Sequence, residues 1–439
     1  MKIHTIGGYS EVGKNMTAVE VEENIFIFDM GFYLPKILTY AEGDAHTLPT
    51  EELIKIGVLP DDKVLEKSKD KVKAIIIGHA HLDHIGAVPY LANKYNCPIV
   101  ATPYTIEIIK TLYSDRNLKF PKFIKVNPNS SVTIAGHKLG FINVPHSTLQ
   151  VALVSLETKE GNVLYANDFK MDYTPVLNKK LDMSKFKELK DKKVKLLILD
   201  ALNSRYQAKT PSERVARELL RDVLLGVEHR NKVIVVTTFS SHLPRLKSII
   251  EFGKKLNRKM VFLGRSLQKY VEAAEKLKLT NFSKDAQLVG FPNQVKKKLK
   301  QIEKNPGDYI IVCTGNQGEP DAILSRMARG ELPWNFKPDD IVIFSCRTIP
   351  SPETEANRQV LERTLRQKHV RIFKDVHVSG HLSLEDHRDV INLLTPENLI
   401  PAHGGKEIVT GLIDLAVDEL GYKLGKSVHL MHDGAILEL

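Results

Sequence analysis

The stretch that decides the fold runs from Ala74 to His84, AIIIGHAHLDH. Four apolar residues and a glycine lead into three histidines and an aspartate within six positions, His79-Ala80-His81-Leu82-Asp83-His84. An apolar run this short, closed directly by a polar loop, reads as a buried strand whose C-terminal end carries functional side chains. A single histidine is usually a satisfied structural residue. Four ligand-type groups crowded at one strand end are different, because without a cation they concentrate desolvation cost and like-charge repulsion for no structural gain. Imidazole mixed with carboxylate suits zinc or manganese. The segment therefore predicts a metal-dependent hydrolase.

Working outward, the same grammar recurs up to about residue 200. NIFIFDMG, LGFINVPHS, NVLYANDF and KLLILDAL are apolar runs that end in polar loops, with helix-like segments such as GAVPYLANKY and TIEIIKTLYS between them. The class is α/β, with several loops converging on one sheet edge. Those loops supply further ligand-type residues at Asp29, His146 and Asp168, and a late loop, PAHGG, supplies His403. Taken singly, each has an ordinary reading as a turn or loop residue. After about residue 204 longer helices alternate with strands (SERVARELLRDVLLGV, KVIVVTTF, LPRLKSIIEFGKKL, KMVFLG, DYIIVCTG, DIVIFSC), which is the βαβ pattern of a mostly parallel sheet. Beyond about residue 362 the style of short strands and histidines returns. The expected organisation is a first domain over 1–204 and 363–439, with a second domain, 205–362, inserted into it.

At 439 residues the chain is long enough for two or three domains. Its apolar runs are too short and broken to span a bilayer, and MKIHTIGGYSEVGKN lacks the apolar stretch of a secretory signal, so a cytoplasmic location without membrane contact is expected. Cys97, Cys313 and Cys346 match neither a metal spacing nor a disulfide framework and read as small buried hydrophobes. A formal net charge of +10 favours polyanionic partners. Individual lysine runs such as VKKKLK, Val295 to Lys300, read as solvated helix faces.

At HAHLDH, His146, Asp168 and His403 the sequence resembles the metallo-β-lactamase superfamily. The resemblance implies an αββα sandwich with two divalent metal ions. His79, His81 and His146 would hold one, Asp83, His84 and His403 the other, with Asp168 between them and Asp29 orienting a ligand imidazole from behind. The insertion narrows the resemblance to the β-CASP nucleases, an α/β domain set into that sandwich, whose added motifs are matched by Asp200, His381 and His403. A histidine at the last position goes with RNA substrates in that family. Finer strings, GGYSEVGKNM, NDFKMD, GRS at Gly264 to Ser266, CTGNQGEP and HVSGH, resemble the ribonuclease J family, in its archaeal form without a further C-terminal domain.

That resemblance implies single-stranded RNA as partner, with His377, Ser379 and His381 around the scissile phosphate. It also implies a pocket for a 5′ monophosphate, which falls on Ser240, Arg265, Ser266, Asn316 and Gln317. Asp83, Asp200 and His381 are the expected catalytic residues, His381 as general acid toward the departing 3′ oxygen. The expected activity is 5′-to-3′ exonucleolytic, in RNA decay and processing. The alternative is an endonuclease of the polyadenylation-cleavage type, and a non-catalytic RNA-binding subunit is a third reading. A homodimer is compatible with all of these. The chain departs from the ribonuclease J pattern at Ala201-Leu202, at Ser241-His242 and at Gly404-Gly405, none of them a proposed metal ligand.

Overall fold

The computed structural model describes residues 1–37 and 48–439 and contains three sheets. In the first, Ala435–Glu438 (β19) lies beside Lys2–Gly7 (β1), followed by Met16–Val21 (β2), Asn24–Phe28 (β3), Val72–Ile77 (β4), Ile99–Ala101 (β5) and Phe123–Lys125 (β6). Pairing is antiparallel from β19 to β3 and parallel from β3 to β6. The second sheet has the order Asn398–Ala402 (β18), Val194–Asp200 (β11), Gly161–Ala166 (β10), Ala152–Thr158 (β9), His137–Asn143 (β8) and Ser130–Ile134 (β7). Here β18, β11 and β10 are parallel and the rest antiparallel.

These two sheets face each other over one apolar layer in which Phe26, Phe28 and Ile76 of the first sheet meet Phe141, Val154, Leu156 and Ile198 of the second. Helices cover both outer faces. Pro103–Asp115 packs on the first sheet, and Met183–Asp191, Leu384–Leu394 and Lys406–Asp414 pack on the second. The result is the expected αββα sandwich. Strands with both faces covered are read as continuous apolar runs, which is why β4 and β11 are legible as VKAIII and VKLLILD.

The third sheet is wholly parallel, in the order Ala286–Val289 (β14), Lys259–Leu263 (β13), Tyr309–Cys313 (β15), Ile234–Thr237 (β12), Ile341–Phe344 (β16) and Arg371–Phe373 (β17). It is the α/β insertion. Its end differs from the expectation of 362. Helix Pro352–Gln367 crosses that position, and β17 pairs with β16, so the segment VRIF belongs to the third sheet and only the loop after it returns to the sandwich. The apolar layer on one side of this sheet, with Val236, Phe262 and Ile343, is continuous with the outer layer of the first sheet. The insertion is thus packed on the sandwich through a shared core.

In the lysine-rich helix Pro292–Ile302, Val295 and Leu299 turn inward while Lys296, Lys297 and Lys300 face solvent. Cys313 and Cys346 are buried, and Cys97 is half-buried against the core. Among the described residues, no helix is long and apolar enough to cross a membrane.

Candidate metal centre and active site

Every strand end singled out in the sequence delivers its side chain to one place. His79 follows β4, and the short helix Leu82–Ile85, with His81 at its N-cap, turns His81, Asp83 and His84 toward the same point. His146 comes from the loop after β8, Asp168 from the loop after β10, and His403 from the residue after β18. Asp29, Asp168 and His403 have φ of 58°, 50° and 59°, the left-handed region in which a non-glycine backbone is strained. Strained backbone of this kind clusters at functional sites, where the surrounding structure holds it in place.

Two clusters share Asp168. In one, His79 Nε2 lies 3.1 Å from His81 Nδ1, His146 Nε2 lies 3.2 Å from the same atom, and Asp168 Oδ2 lies 3.5 Å from His79 Nε2. In the other, Asp168 Oδ2 lies 3.2 Å from His84 Nε2, while Asp83 Oδ2 lies 3.5 Å from His84 Nε2 and 3.8 Å from His403 Nε2. Within each group of four, one ligand atom per residue lies within 4.8 Å of all the others. The structure therefore brings all seven sequence-predicted ligands together.

In the first cluster the protonation fits cation binding. In the second, burial opposes the charged form of His84, but the carboxylates of Asp168, Asp83 and Asp29 outweigh it and raise His84 well above the usual range, holding a proton that a metal ion would displace. Burial, reinforced by the His79 imidazole, lowers His81 to about 3, and burial with three neighbouring imidazoles pushes His146 well below the usual range. Burial also lowers His79. Neutral imidazoles converging at hydrogen-bond distance with few protons to share present lone pairs to one another, an arrangement that a metal ion relieves. Burial opposes the ionised form of Asp168, but the imidazoles of His403, His84 and His381 outweigh it and hold its carboxyl well below the ordinary range. Its Oδ1 is buried without a hydrogen-bond partner.

The outward-facing nitrogens are held as metal ligands require. His84 Nδ1–H donates to Asp29 Oδ2 at 2.7 Å, and Asp29 Oδ1 accepts from the Gly78 amide at 3.0 Å. His146 Nδ1–H donates to the Gly380 carbonyl at 2.8 Å. A Cβ at position 380 would stand 2.9 Å from the His146 ring, so glycine is what lets HVSGH approach this closely. Sequence reading missed Asn15. Its amide lies 2.9 Å from His403 Nδ1 and 3.1 Å from His84 Nε2, and donates to the Asp83 carbonyl at 3.1 Å. Asn15 lies inside GGYSEVGKNM, but asparagine is not an ordinary metal ligand and nothing in its type marks it.

Asp200, the last residue of β11, and His381 form a third group with Asp168. His381 Nδ1–H donates to Asp200 Oδ2 at 2.7 Å, which leaves Nε2 facing the cluster, 4.0 Å from Asp168 Oδ2. Burial works against the imidazolium, but the carboxylates of Asp200 and Asp168 outweigh it and raise His381 to about 9. Ser379 Oγ accepts from Asn203 Nδ2 at 2.9 Å and from the His381 amide at 3.1 Å. His377 Nδ1 is buried without a partner.

The cluster opens into a cavity of about 1540 Å³ between sandwich and insertion, which also takes in Ser240, Arg265, Ser266, Asn316, Gln317, His377 and Ser379. Ser240 and Ser266 hydroxyls are 2.9 Å apart at the N-terminus of helix Arg265–Lys276, and Asn316 Nδ2 is buried without a partner. Gln317 also lines the cavity. Its side-chain amide donates to the Arg347 carbonyl at 3.0 Å and accepts from the Ile349 amide at 2.7 Å, which holds that loop and leaves one N–H for a further partner. Arg265 is 66% exposed and pairs with Asp115 at 3.1 Å. His242, a departure from the family pattern, is buried and accepts from the Arg245 amide, capping helix Leu243–Lys255.

The fold and this centre define a hydrolase of the metallo-β-lactamase superfamily with a β-CASP insertion, and comparison with known proteins agrees. Residues 11–203 match the family described as "Metallo-beta-lactamase superfamily", and residues 231–362 match "Ribonuclease J, beta-CASP domain". The chain belongs to the ribonuclease J family, the metal-dependent β-CASP ribonucleases. It is similar over its whole length to ribonuclease J of Methanocaldococcus jannaschii, at 41% identity and 98% of that protein. It is equally similar to ribonuclease J of Pyrococcus abyssi, at 40% identity and 97% of that protein. Ribonuclease J of Helicobacter pylori is 30% identical, but this chain spans 61% of that longer protein. The crystal structure of a protein of unknown function from Enterococcus faecalis V583 has the same fold, with a TM-score of 0.67 at 16% identity over 100% of this chain and 99% of that one.

Proposed function

We propose that this chain is a 5′-to-3′ exoribonuclease that prefers RNA bearing a 5′ monophosphate. The observation that supports this is the single cavity shared by the metal cluster and the hydroxyl-lined end of helix Arg265–Lys276. A helix N-terminus with free amides and small hydroxyls suits a phosphate. Ser240, Ser266 and Asn316, with Arg265 at the rim, are the groups that would receive it, while Gln317 holds the 347–349 loop in place.

Zinc or manganese ions would be held by His79, His81 and His146 on one side and by Asp83, His84 and His403 on the other. Asp168 would lie between them, with Asp29 and Asn15 fixing ring orientations. When bound, two such ions supply Lewis acidity and a water of lowered pKa. Around them the chain does the rest. Asp83, kept ionised against burial by His84 and His403, remains an acceptor. Ser379 Oγ already accepts two hydrogen bonds, so its own proton is free for a phosphate oxygen. His377 presents a partnerless nitrogen nearby. His381, protonated through the neutral range and oriented by Asp200, gives its Nε2 proton to the departing 3′ oxygen.

The decisive experiment digests end-labelled RNAs that differ only in the 5′ group. The 5′-monophosphorylated strand should be degraded rapidly to mononucleotides and the 5′-triphosphorylated strand slowly. Equal rates would remove the phosphate pocket from the reading. A circular RNA should resist, and internal cutting of the circle would favour the polyadenylation-cleavage type of endonuclease.

A further inference from the structure

Large apolar side chains exposed to solvent are common on protein surfaces and need no account when scattered singly. Among the described residues of this chain, Phe291 is the one large exposed hydrophobic that also lines the cavity of the metal centre. It is 56% exposed. Its neighbours fix where it stands. The Gly264 amide donates to the Val289 carbonyl at 3.0 Å, and a Cβ on Gly290 would stand 3.4 Å from the Cα of Arg265. The turn Val289-Gly290-Phe291 is therefore laid directly against Gly264-Arg265-Ser266.

Phe291 also has a fixed backbone. It is the N-cap residue of helix Pro292–Ile302, its carbonyl accepts from the Val295 amide at 2.9 Å, and the proline after it confines its backbone to extended geometry. Around it the cavity wall is apolar, with Pro292, Val295, Ile323 and Leu332, and Arg265 stands alongside with its guanidinium exposed. An exposed aromatic ring on a fixed backbone, in a cleft that receives RNA and beside the Arg265 guanidinium, has the chemistry of a base-stacking platform.

We propose that Phe291 is a nucleobase-binding subsite, on which one base of the RNA strand stacks beside the Arg265–Ser266 turn. Every base has a π face, so the subsite accepts all four and contributes to affinity without sequence preference. It rests on the reading of the cavity as an RNA cleft and does not depend on the 5′-group preference.

The test pairs Phe291→Ala with a series of otherwise identical 5′-monophosphorylated oligoribonucleotides, each carrying a single abasic residue at a successive position from the 5′ end. On intact RNA the alanine variant should raise KM about tenfold, within the range of a lost base stack, and leave kcat within about twofold. Phe291→Trp should restore the wild-type KM. At one position of the series the abasic RNA should bring wild type and Phe291→Ala to the same KM, because the stack is then missing in both. A penalty identical across the whole series, or no penalty on intact RNA, would overturn the subsite, since a structural defect does not depend on which base is removed. The parent reading is checked separately. Wild-type enzyme that is indifferent to the 5′ group would contradict the exonuclease preference while leaving the base-dependent coupling measurable, and wild-type enzyme that cuts no RNA would end both.

Discussion

His381 carries the clearest consequence at the scale of one residue. Its imidazole is protonated up to about 9 because Asp200 and Asp168 overcome its burial. As the proton donor it is active in the charged form, so kcat should hold through the neutral range and fall as pH rises past that value. Asp200→Asn keeps an acceptor for Nδ1–H but removes a negative charge, so the alkaline limb of kcat should move to lower pH. A limb that stays in place in single-turnover profiles would assign it to another group. His381→Ala should lower kcat by about 10²- to 10⁴-fold, the usual span for a positioned acid. Asp29, which touches the centre only through His84 and Gly78, has a different signature. Asp29→Ala should weaken metal affinity by about 10- to 100-fold, read by competition with a chromogenic chelator.

At the scale of elements, the site is built from strand ends, and this is why so much of it was legible. Apolar runs closed by polar loops mark β3, β4, β8, β10 and β11 in the sequence, and the residues after them converge because the parallel strands of each sheet end on the same side. The runs that misled are short or half-exposed. VRIF reads like the sandwich strands, yet β17 joins the third sheet, and only pairing with β16 decides that. Asn15 was opaque for a different reason, since an amide's role depends on which partners surround it. Gly380 is where one element fixes another, because HVSGH touches the His146 ring only where a side chain is missing. Gly380→Ala should displace that loop and lower both the metal bound per chain and kcat, while urea denaturation shifts little. A large loss of stability with the metal content intact would show that the contact matters for packing alone.

At the scale of the whole molecule, a buried charge in the insertion anchors the segment that returns to the sandwich. Arg245 is 0% exposed and donates to both Glu213 oxygens at 2.7 and 3.0 Å, to the Ser345 carbonyl and hydroxyl, each at 2.7 Å, and to the Val376 carbonyl at 3.1 Å. The last contact holds the segment that leads into His377 and His381. Arg245→Met would leave Glu213 buried without its main partner, with only His242 Nε2 at 3.7 Å, at a cost of about 3–5 kcal/mol in urea unfolding, and adding Glu213→Gln should recover part of it. The net charge of +10 gives a second prediction. KM for RNA should rise steeply with salt as phosphate contacts are screened, with kcat much less affected.

The centre draws its first ligand from position 79 and its last from position 403, with the entire third sheet between them. A chain emerging from the ribosome folds from its N-terminal end, so it can assemble β4 and the HAHLDH loop early, but it lacks His381 and His403 until synthesis has passed the third sheet. Until then the RNA-cutting centre is incomplete. The order of residues along the chain thus makes the completed centre a product of the whole fold, since the group of four ligands that includes His403 cannot close before the segments on both sides of the third sheet have come together.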